Sequence, residues 1–125
     1  MKQKYFICNH CGNIITMIKD MNVPVSCCGE EMVEIIPGTT DAATEKHVPV
    51  YSIKDNKVTV TVGEIPHPMT EEHYIECISL QTKLGYQIKF LKPSDEPKAC
   101  FMISDDDEIE SVYAYCNLHS LWKTQ

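Results

Sequence analysis

Arginine is absent from this sequence of 125 residues, so lysine supplies all eleven basic side chains, and eighteen acidic residues bring the formal net charge to −7. Proteins that bind nucleic acids normally have a basic surface and use arginine to contact phosphate and guanine. The sequence also lacks an apolar run of about eighteen residues and the apolar segment of a secretory signal. We therefore expect a cytoplasmic protein with one ordinary domain and a small appendage, which binds neither nucleic acid nor membrane.

Cysteine is abundant, with seven residues, and the number is odd. In a reducing cytoplasm, cysteines are more often metal ligands or reactive thiols than parts of a disulfide framework. Four cysteines lie in the first quarter of the chain, whereas four of the five histidines lie in the remainder. This uneven distribution predicts two metal sites of different chemistry.

A domain boundary is expected at the turn-forming residues Pro37-Gly38-Thr39-Thr40, which end an apolar run. The predicted domains are residues 1–37 and 38–125. A unit as short as the first seldom buries enough apolar surface to be stable alone, and a structural metal is a common remedy.

The second part alternates between apolar and polar residues, as half-buried β-strands do. The alternation covers residues 48–54, 58–62, 73–82, 86–90, 98–104 and 109–116. Turn signals separate these segments, and a helical turn is expected only at Asp41-Ala42-Ala43-Thr44. Six or seven short strands with this spacing predict an antiparallel β-sandwich in an all-β chain.

The first candidate metal site consists of Cys8-x-x-Cys11-Gly12 and the doublet Cys27-Cys28-Gly29. Neighbouring side chains of a strand point to opposite faces, so both cysteines of the doublet reach one metal only if the backbone turns sharply. Four thiolates select zinc or iron, and the spacing leaves both open. His10, between two ligands, is expected to be a solvated loop residue.

The second candidate site combines His47, His67, His73 and the pair Cys116-x-x-His119, mostly at predicted strand ends and turns. Four neutral imidazoles and one thiolate around a divalent ion leave a charge of +1, which attracts an anion. Five ligands leave one octahedral position open, as a catalytic metal requires. A thiolate opposite that position would push electron density toward a bound substrate, which suits a redox-active iron.

These motifs together resemble desulfoferrodoxin, the family of two-iron superoxide reductases. The resemblance runs almost end to end. It is carried by the cysteine motifs above and by four later segments, Thr40-Asp41-Ala42-Ala43-x-Glu45-Lys46-His47-Val48-Pro49, Pro66-His67-Pro68-Met69, His73-Tyr74-Ile75-Glu76 and Cys116-Asn117-Leu118-His119-x-Leu121-Trp122. It implies a desulforedoxin-like first domain with an iron-tetracysteine site and an immunoglobulin-like catalytic domain.

The resemblance also implies roles for residues. Cys8, Cys11, Cys27 and Cys28 would bind the first iron; His47, His67, His73 and His119 would be equatorial ligands, and Cys116 the axial ligand, of the second. Glu45 would be the sixth ligand of the oxidised state, and Lys46 would attract superoxide. A rubredoxin-like electron donor and a homodimer are implied as well. Cys77 stands where family members commonly have tryptophan, which removes no ligand.

The alternative function is a non-enzymatic metal-binding or electron-transfer module with zinc or iron in the tetracysteine site. A visible spectrum distinguishes the two because iron-thiolate centres are coloured. Among the other residues, Cys77 and Cys100 are expected in the core. The run Asp105-Asp106-Asp107-Glu108 is expected to be a solvated loop, with adventitious calcium binding as a second use. Trp122 would pack beside the second metal or at a subunit contact.

Overall fold

A computed structural model describes residues 2–124 and divides the chain into two compact units, between Ile36 and Pro37. The predicted boundary, after residue 37, lies one residue further along. The two units are described separately below.

The first unit is a small antiparallel β-structure. Strand β1 is the centre of a three-stranded sheet of order β2-β1-β5, and β3 and β4 form a separate hairpin. Its buried residues are few, with Tyr5, Cys8, Met32 and Ile35 the buried hydrophobic ones. The strands are β1 (Tyr5–Ile7), β2 (Ile14–Thr16), β3 (Ser26–Cys27), β4 (Glu30–Glu31) and β5 (Val33–Ile35).

The second unit is a sandwich of a three-stranded sheet, β10-β7-β6, and a four-stranded sheet, β12-β11-β8-β9, in which every strand pair is antiparallel. The predicted all-β class and immunoglobulin-like sandwich are confirmed. The elements are α1 (Thr44–His47), β6 (Pro49–Lys54), β7 (Lys57–Val62), β8 (Ile75–Thr82), β9 (Tyr86–Phe90), β10 (Lys98–Met102), β11 (Ile109–Cys116) and β12 (Ser120–Lys123).

The core of the sandwich follows the predicted alternation. Val58, Val60 and Val62 of β7 are fully buried, and they pack with apolar side chains of β8, β10 and β11. Because strand side chains alternate between faces, the threonines between these valines point to the other side of the sheet.

The prediction that Cys77 and Cys100 belong to the core is wrong. Both are only half-buried. In β10 the inward positions are taken by the buried Ala99 and Phe101, so Cys100 lies on the opposite face, with its Sγ 3.9 Å from Thr59 Oγ1. In β8 the residues from Ile78 to Thr82 are all buried, so alternation does not place Cys77 on an exposed face; it is partly buried, and burial raises its pKa to about 11.

The helical turn is also displaced from its predicted place at residues 41–44. It spans Thr44–His47, and Ala43 before it has extended backbone angles. The carbonyl oxygen of Ala43 accepts hydrogen bonds from the Lys46 N–H at 3.2 Å and from the His47 ring at 2.7 Å, which fixes where the turn begins.

Side chains of β9, in the four-stranded sheet, form hydrogen bonds to the backbone of β10, in the three-stranded sheet. Strand β9 is at the end of the four-stranded sheet and β10 at the end of the three-stranded one. Gln87 of β9 donates from Nε2 to the carbonyl oxygen of Met102 at 2.9 Å, and the Lys89 ammonium donates to the carbonyl oxygen of Cys100. The Lys89 Nζ also lies 5.3 Å from the centre of the Phe101 ring.

Candidate metal centres

The first centre brings together the four predicted cysteines of the N-terminal unit. The Sγ atoms of Cys8, Cys11, Cys27 and Cys28 all lie within 4.8 Å of one another. The Cys11 and Cys27 sulfurs are 3.7 Å apart and those of Cys27 and Cys28 are 4.0 Å apart. Thiolate groups this close, without a disulfide between them, form a set of donors that suits zinc or iron.

The doublet reaches the centre through the sharp turn that its sequence requires. Cys28 and Gly29 connect β3 to β4 with φ values of +54° and +73°. Two successive residues with positive φ are the signature of a type I′ turn, which joins two strands through a two-residue loop. The turn therefore places the Cys28 sulfur beside that of Cys27 instead of on the opposite face of a strand.

Backbone amides support the other two sulfurs. The N–H of Cys11 donates to the Cys8 sulfur at 3.5 Å, and the N–H of Asn13 donates to the Cys11 sulfur at 3.4 Å. Hydrogen bonds from the backbone of Cys11 and His10 lower the pKa of Cys8 to about 6, whereas the neighbouring Cys11 thiol raises the pKa of Cys28 to about 12. A metal that binds here displaces the remaining thiol protons, so binding releases protons to solvent. His10 is exposed in its loop, as predicted.

The second centre lies at one end of the sandwich. His47 ends α1, His67 and His73 lie in the segment between β7 and β8, Cys116 ends β11, and His119 lies in the turn before β12. The ligand atoms of His47, His67, His73 and Cys116 lie within 4.8 Å of one another. The Nδ1 of His119 is 3.1 Å from His47 Nε2 and 3.9 Å from the Cys116 sulfur. All five predicted ligands therefore converge.

Hydrogen bonds fix which ring nitrogen of two histidines faces the centre. The Nδ1–H of His47 donates to the carbonyl oxygen of Ala43, and the Nδ1–H of His67 donates to that of Pro68, both at 2.7 Å. In a neutral imidazole the other nitrogen then carries a lone pair. Such bonds to carbonyl oxygens are the usual way in which a metal-binding histidine is oriented.

These two lone pairs face each other. The Nε2 atoms of His47 and His67 are 3.1 Å apart. Two acceptors at this distance repel each other unless a proton or a cation lies between them. Two nitrogen ligands about 2.1 Å from one metal, at right angles, are about 3 Å apart. The buried Nε2 of His73 also has no hydrogen-bond partner within residues 2–124. Both observations fit a metal ion bound by these side chains.

The four imidazole rings form a square. Neighbouring rings around it, in the order His47, His67, His73 and His119, have centroids 4.6 to 5.0 Å apart and planes inclined by 78° to 88°. His47 and His73, on a diagonal, are 6.3 Å apart with planes 30° apart. Four nitrogens can therefore surround one ion in a plane, which leaves the two faces of that plane for other ligands.

Burial favours the neutral form of three imidazoles of this centre. Loss of hydration lowers the pKa of His67 to about 4 and also lowers the pKa values of His47 and His73. Neutral imidazole is the form that binds a metal. Burial raises the pKa of the Cys116 thiol, so its proton remains until a cation displaces it.

Glu45 and Lys46, the predicted catalytic residues, are exposed on α1 immediately before His47. The turn is held against residues 63–65, because the Ile65 N–H donates to the carbonyl oxygen of Glu45 and the Gly63 N–H to that of Val48, each at 3.1 Å. Gly63 has a φ of +85°, and a Cβ placed on it would lie 2.4 to 2.8 Å from three backbone carbonyl oxygens. Only glycine allows this close approach.

Two further residues support the second centre, and the role of the first, Asn117, was not predicted from the sequence. The side chain of Asn117 accepts from the Tyr74 N–H at 2.9 Å and donates to the Glu72 carbonyl oxygen at 3.0 Å, which ties the Cys116–His119 turn to the segment of His73. Trp122, which was expected to pack beside the second metal or at a subunit contact, stacks on His47. An asparagine between two ligands was the available sequence signal for the first role, since its short side chain readily bonds nearby backbone.

The remaining predicted residues lie elsewhere. In the acidic run 105–108, the Asp107 carboxylate accepts hydrogen bonds from the backbone N–H groups of Leu84 and Glu108, at 3.0 and 2.9 Å. Cys77 is beside Tyr115 and Phe90 in the four-stranded sheet, outside the ligand set. Within residues 2–124, no helix is long and apolar enough to span a membrane.

Comparison with known proteins identifies the family of this chain. The family model of desulfoferrodoxin matches residues 39–125. The desulfoferrodoxin of Nitratidesulfovibrio vulgaris is 45% identical over 118 residues, which cover 94% of this chain and 92% of that protein. A desulfoferrodoxin homolog of Archaeoglobus fulgidus is 44% identical over 117 residues, with the same coverage of 94% and 92%.

A solved structure is similar over the whole length. The crystal structure of the superoxide reductase from Treponema pallidum has a TM-score of 0.84 and 34% identity, and the match covers 100% of both chains. The resemblance predicted from the cysteine and histidine motifs is confirmed by these matches. This chain belongs to the desulfoferrodoxin family.

Proposed function

We propose that this protein is a superoxide reductase, which transfers one electron to superoxide and, with two protons, forms hydrogen peroxide without producing dioxygen. The observation that carries the proposal is the square of four imidazoles beside a buried thiol, with two lone pairs directed at each other across 3.1 Å. The similarity to a protein named superoxide reductase supports it.

The ligand assignment follows the two clusters. His47, His67, His73, His119 and Cys116 would hold one iron, and Cys8, Cys11, Cys27 and Cys28 would hold another. Imidazole and thiolate ligands suit iron, and a mixed set of four nitrogens and one sulfur does not complete an octahedron. When bound, the iron of the second centre supplies the electron and a positive charge that attracts an anion.

The chain's own residues provide attraction and protons. The protein has a net charge of −7, which repels superoxide at long range, so rapid capture requires a local cation. Lys46 is exposed, adjacent to His47 and able to draw the anion toward the open side of the centre. Its ammonium group would serve as a proton donor in the reaction, and its neighbour Glu45 would be the carboxylate that binds the iron after oxidation.

The cellular role follows from this reaction. A reductase needs a one-electron donor, and a small rubredoxin-like protein is the proposed one, with superoxide detoxification in the cytoplasm as the outcome. We expect a homodimer. Calcium at residues 105–108 stays a prediction that is independent of this function.

The test compares two cysteine variants that differ only in position. Cys116→Ser removes the proposed sulfur ligand, whereas Cys100→Ser changes a half-buried thiol outside both clusters. The reduced wild-type protein and the Cys100→Ser control should consume superoxide in pulse radiolysis and yield hydrogen peroxide without dioxygen. Cys116→Ser should lose the sulfur-to-iron absorption of the second centre and most of its activity, because oxygen donates less electron density than thiolate.

Two results would contradict the proposal. Colourless protein that contains zinc at both centres and leaves superoxide untouched would favour the non-enzymatic metal module. An unchanged second-centre spectrum in Cys116→Ser would show that Cys116 is not a ligand. Metal analysis together with spectra recorded before and after ascorbate completes the experiment.

A further inference from the structure

We propose that Trp122 is a positioning residue of the second centre that lowers its reduction potential by holding an aromatic face against His47. This inference rests on the ligand assignment made in the proposed function. Trp122 is not a ligand, and it contacts two residues that are.

The position of Trp122 is set by the strand that carries it. It lies on β12 opposite Ala114 of β11, and its side chain is 4% exposed. Its ring centroid is 4.9 Å from that of His47, and the two planes are inclined by 28°. The indole therefore stacks on the imidazole, whereas the neighbouring histidine rings of the square meet His47 edge-on.

A hydrogen bond connects the same indole to a second ligand residue. The Nε1–H of Trp122 donates to the carbonyl oxygen of His119 at 2.9 Å. His47 and His119 are neighbours in the square, with His47 Nε2 and His119 Nδ1 3.1 Å apart. One side chain thus holds the plane of one ligand ring and the backbone of the next, so Trp122 restrains two adjacent corners of the site.

The stacking also has an electrostatic consequence. The face of an aromatic ring carries a negative partial charge, which attracts a cation within about 6 Å of the ring centre. Oxidation of the centre adds one positive charge, and part of it spreads to the imidazole ligands. The indole face therefore stabilises the oxidised centre more than the reduced one, so it lowers the reduction potential.

The expected magnitude comes from interactions of this kind. Attraction between a full cation and an aromatic face changes an equilibrium constant by roughly two- to thirtyfold, and since only part of the added charge lies on His47 we expect roughly three- to tenfold here. Removal of the indole should therefore raise the ratio of reduced to oxidised centre at a fixed potential by up to about tenfold. For a one-electron couple, tenfold corresponds to about 59 mV.

Two substitutions separate the aromatic face from the hydrogen bond. Trp122→Phe keeps an aromatic ring of smaller area and loses the N–H group. Trp122→Leu loses both. The potential of the second centre, measured by spectroelectrochemical titration of its thiolate absorption, should rise slightly in Trp122→Phe and most in Trp122→Leu. The tetracysteine centre of the same molecules serves as the internal reference, and its potential should not move.

A core variant controls for loss of stability. Phe101 is a buried aromatic residue, 1% exposed, in the core of the same sandwich; it pairs with Val58 of β7 and is not one of the proposed ligands. Phe101→Leu should lower the free energy of unfolding and leave the potential of the second centre unchanged. An equal shift in Phe101→Leu and Trp122→Leu would overturn the proposal, because general loosening would then account for the change.

The other outcomes are decisive too. Equal potentials for Trp122→Phe and Trp122→Leu would assign the effect to the hydrogen bond and refute a role for the aromatic face. Loss of second-centre iron from Trp122→Phe would also refute it, since Trp122 would then build the centre rather than tune it. If the wild-type protein binds iron at the second centre but does not reduce superoxide, the proposed function fails while the potentials still decide the role of Trp122.

Discussion

Replacement of Gly63 by alanine should destabilise the second unit and disturb its metal centre. The φ of Gly63 is +85°, and an L-residue in the left-handed region costs about 1–2 kcal/mol. The added Cβ would lie 2.4 Å from the carbonyl oxygen of Ile65, 2.7 Å from that of Lys46 and 2.8 Å from that of Glu45. These are backbone atoms, so the contact cannot be relieved by rotating a side chain.

The cost of the left-handed backbone and the cost of the close contact add, and a smaller effect on the unfolded chain opposes them. Overpacking a close contact costs about 1–3 kcal/mol, and alanine returns about 0.4–1 kcal/mol by restricting the unfolded chain. We therefore expect Gly63→Ala to lower the free energy of unfolding by about 1–5 kcal/mol. Relief of the contact would push α1 away from residues 63–65 and carry His47 out of the square, so the second centre should also release its iron to a chelator more readily.

Two other glycines of the unit provide matched controls. Gly38 has a φ of +72° but nothing within 4 Å of its Cβ position, so Gly38→Ala isolates the backbone penalty. Gly85 lies outside the left-handed region and also has open space, so Gly85→Ala should leave stability unchanged or slightly higher. Urea unfolding of the metal-free proteins, followed by the fluorescence of Trp122, measures all three. If Gly63→Ala lowers the free energy of unfolding no more than Gly38→Ala does, the close contact does not destabilise the variant and the reasoning fails.

Three further predictions concern the two centres. Cys28→Ser should abolish the tetrathiolate absorption and leave superoxide reduction in place, because the ligand sets share no residue; loss of activity from protein with a fully occupied second centre would contradict this. Lys46→Ala should slow the bimolecular reaction with superoxide by roughly one to two powers of ten, and its rate should depend less on ionic strength than that of the wild type. Equal rates and equal salt slopes in pulse radiolysis would make Lys46 an ordinary surface lysine. The metal-free protein should lose stability as pH falls from 6.5 toward 4, since the folded pKa of His67 is about 4 and the unfolded chain therefore binds the proton first. The loss is at most about 1.4 kcal/mol per pH unit for this histidine. Urea midpoints at several pH values should show the fall, and a His67→Asn variant whose midpoint falls as steeply would exclude His67 as a cause.

Much of the fold could be predicted from period-two patterns. The valines of β7 alternate with threonines, and this pattern specifies a strand with one buried face regardless of its surroundings. The strand β12 was not predicted. It is short, it follows directly on a ligand turn, and it begins at Ser120 with a φ of +66°, so no run of alternating residues announces it. Its place depends on pairing with β11, which is a tertiary interaction.

The limits of sequence-based prediction at the metal centres have the same physical origin. The members of the two clusters could be predicted, because cysteine and histidine in these spacings have few other common uses. The groups that orient them could not, since the carbonyl oxygens of Ala43 and Pro68 belong to the backbone and carry no sequence signature. Cys100 shows a related limit. Its side chain is apolar enough for a core, and only strand register decides which face of the sheet it occupies.

The side-chain bridge between β9 and β10 affects how the protein behaves at high concentration. The outward carbonyl oxygens of Cys100 and Met102 accept hydrogen bonds from Lys89 and Gln87. An unprotected strand edge is a template for pairing with a strand of another molecule, and a lysine placed there discourages such pairing. The bridge thus links the two sheets without a continuous backbone ladder and occupies two backbone acceptors of β10 that a strand of another molecule could otherwise use.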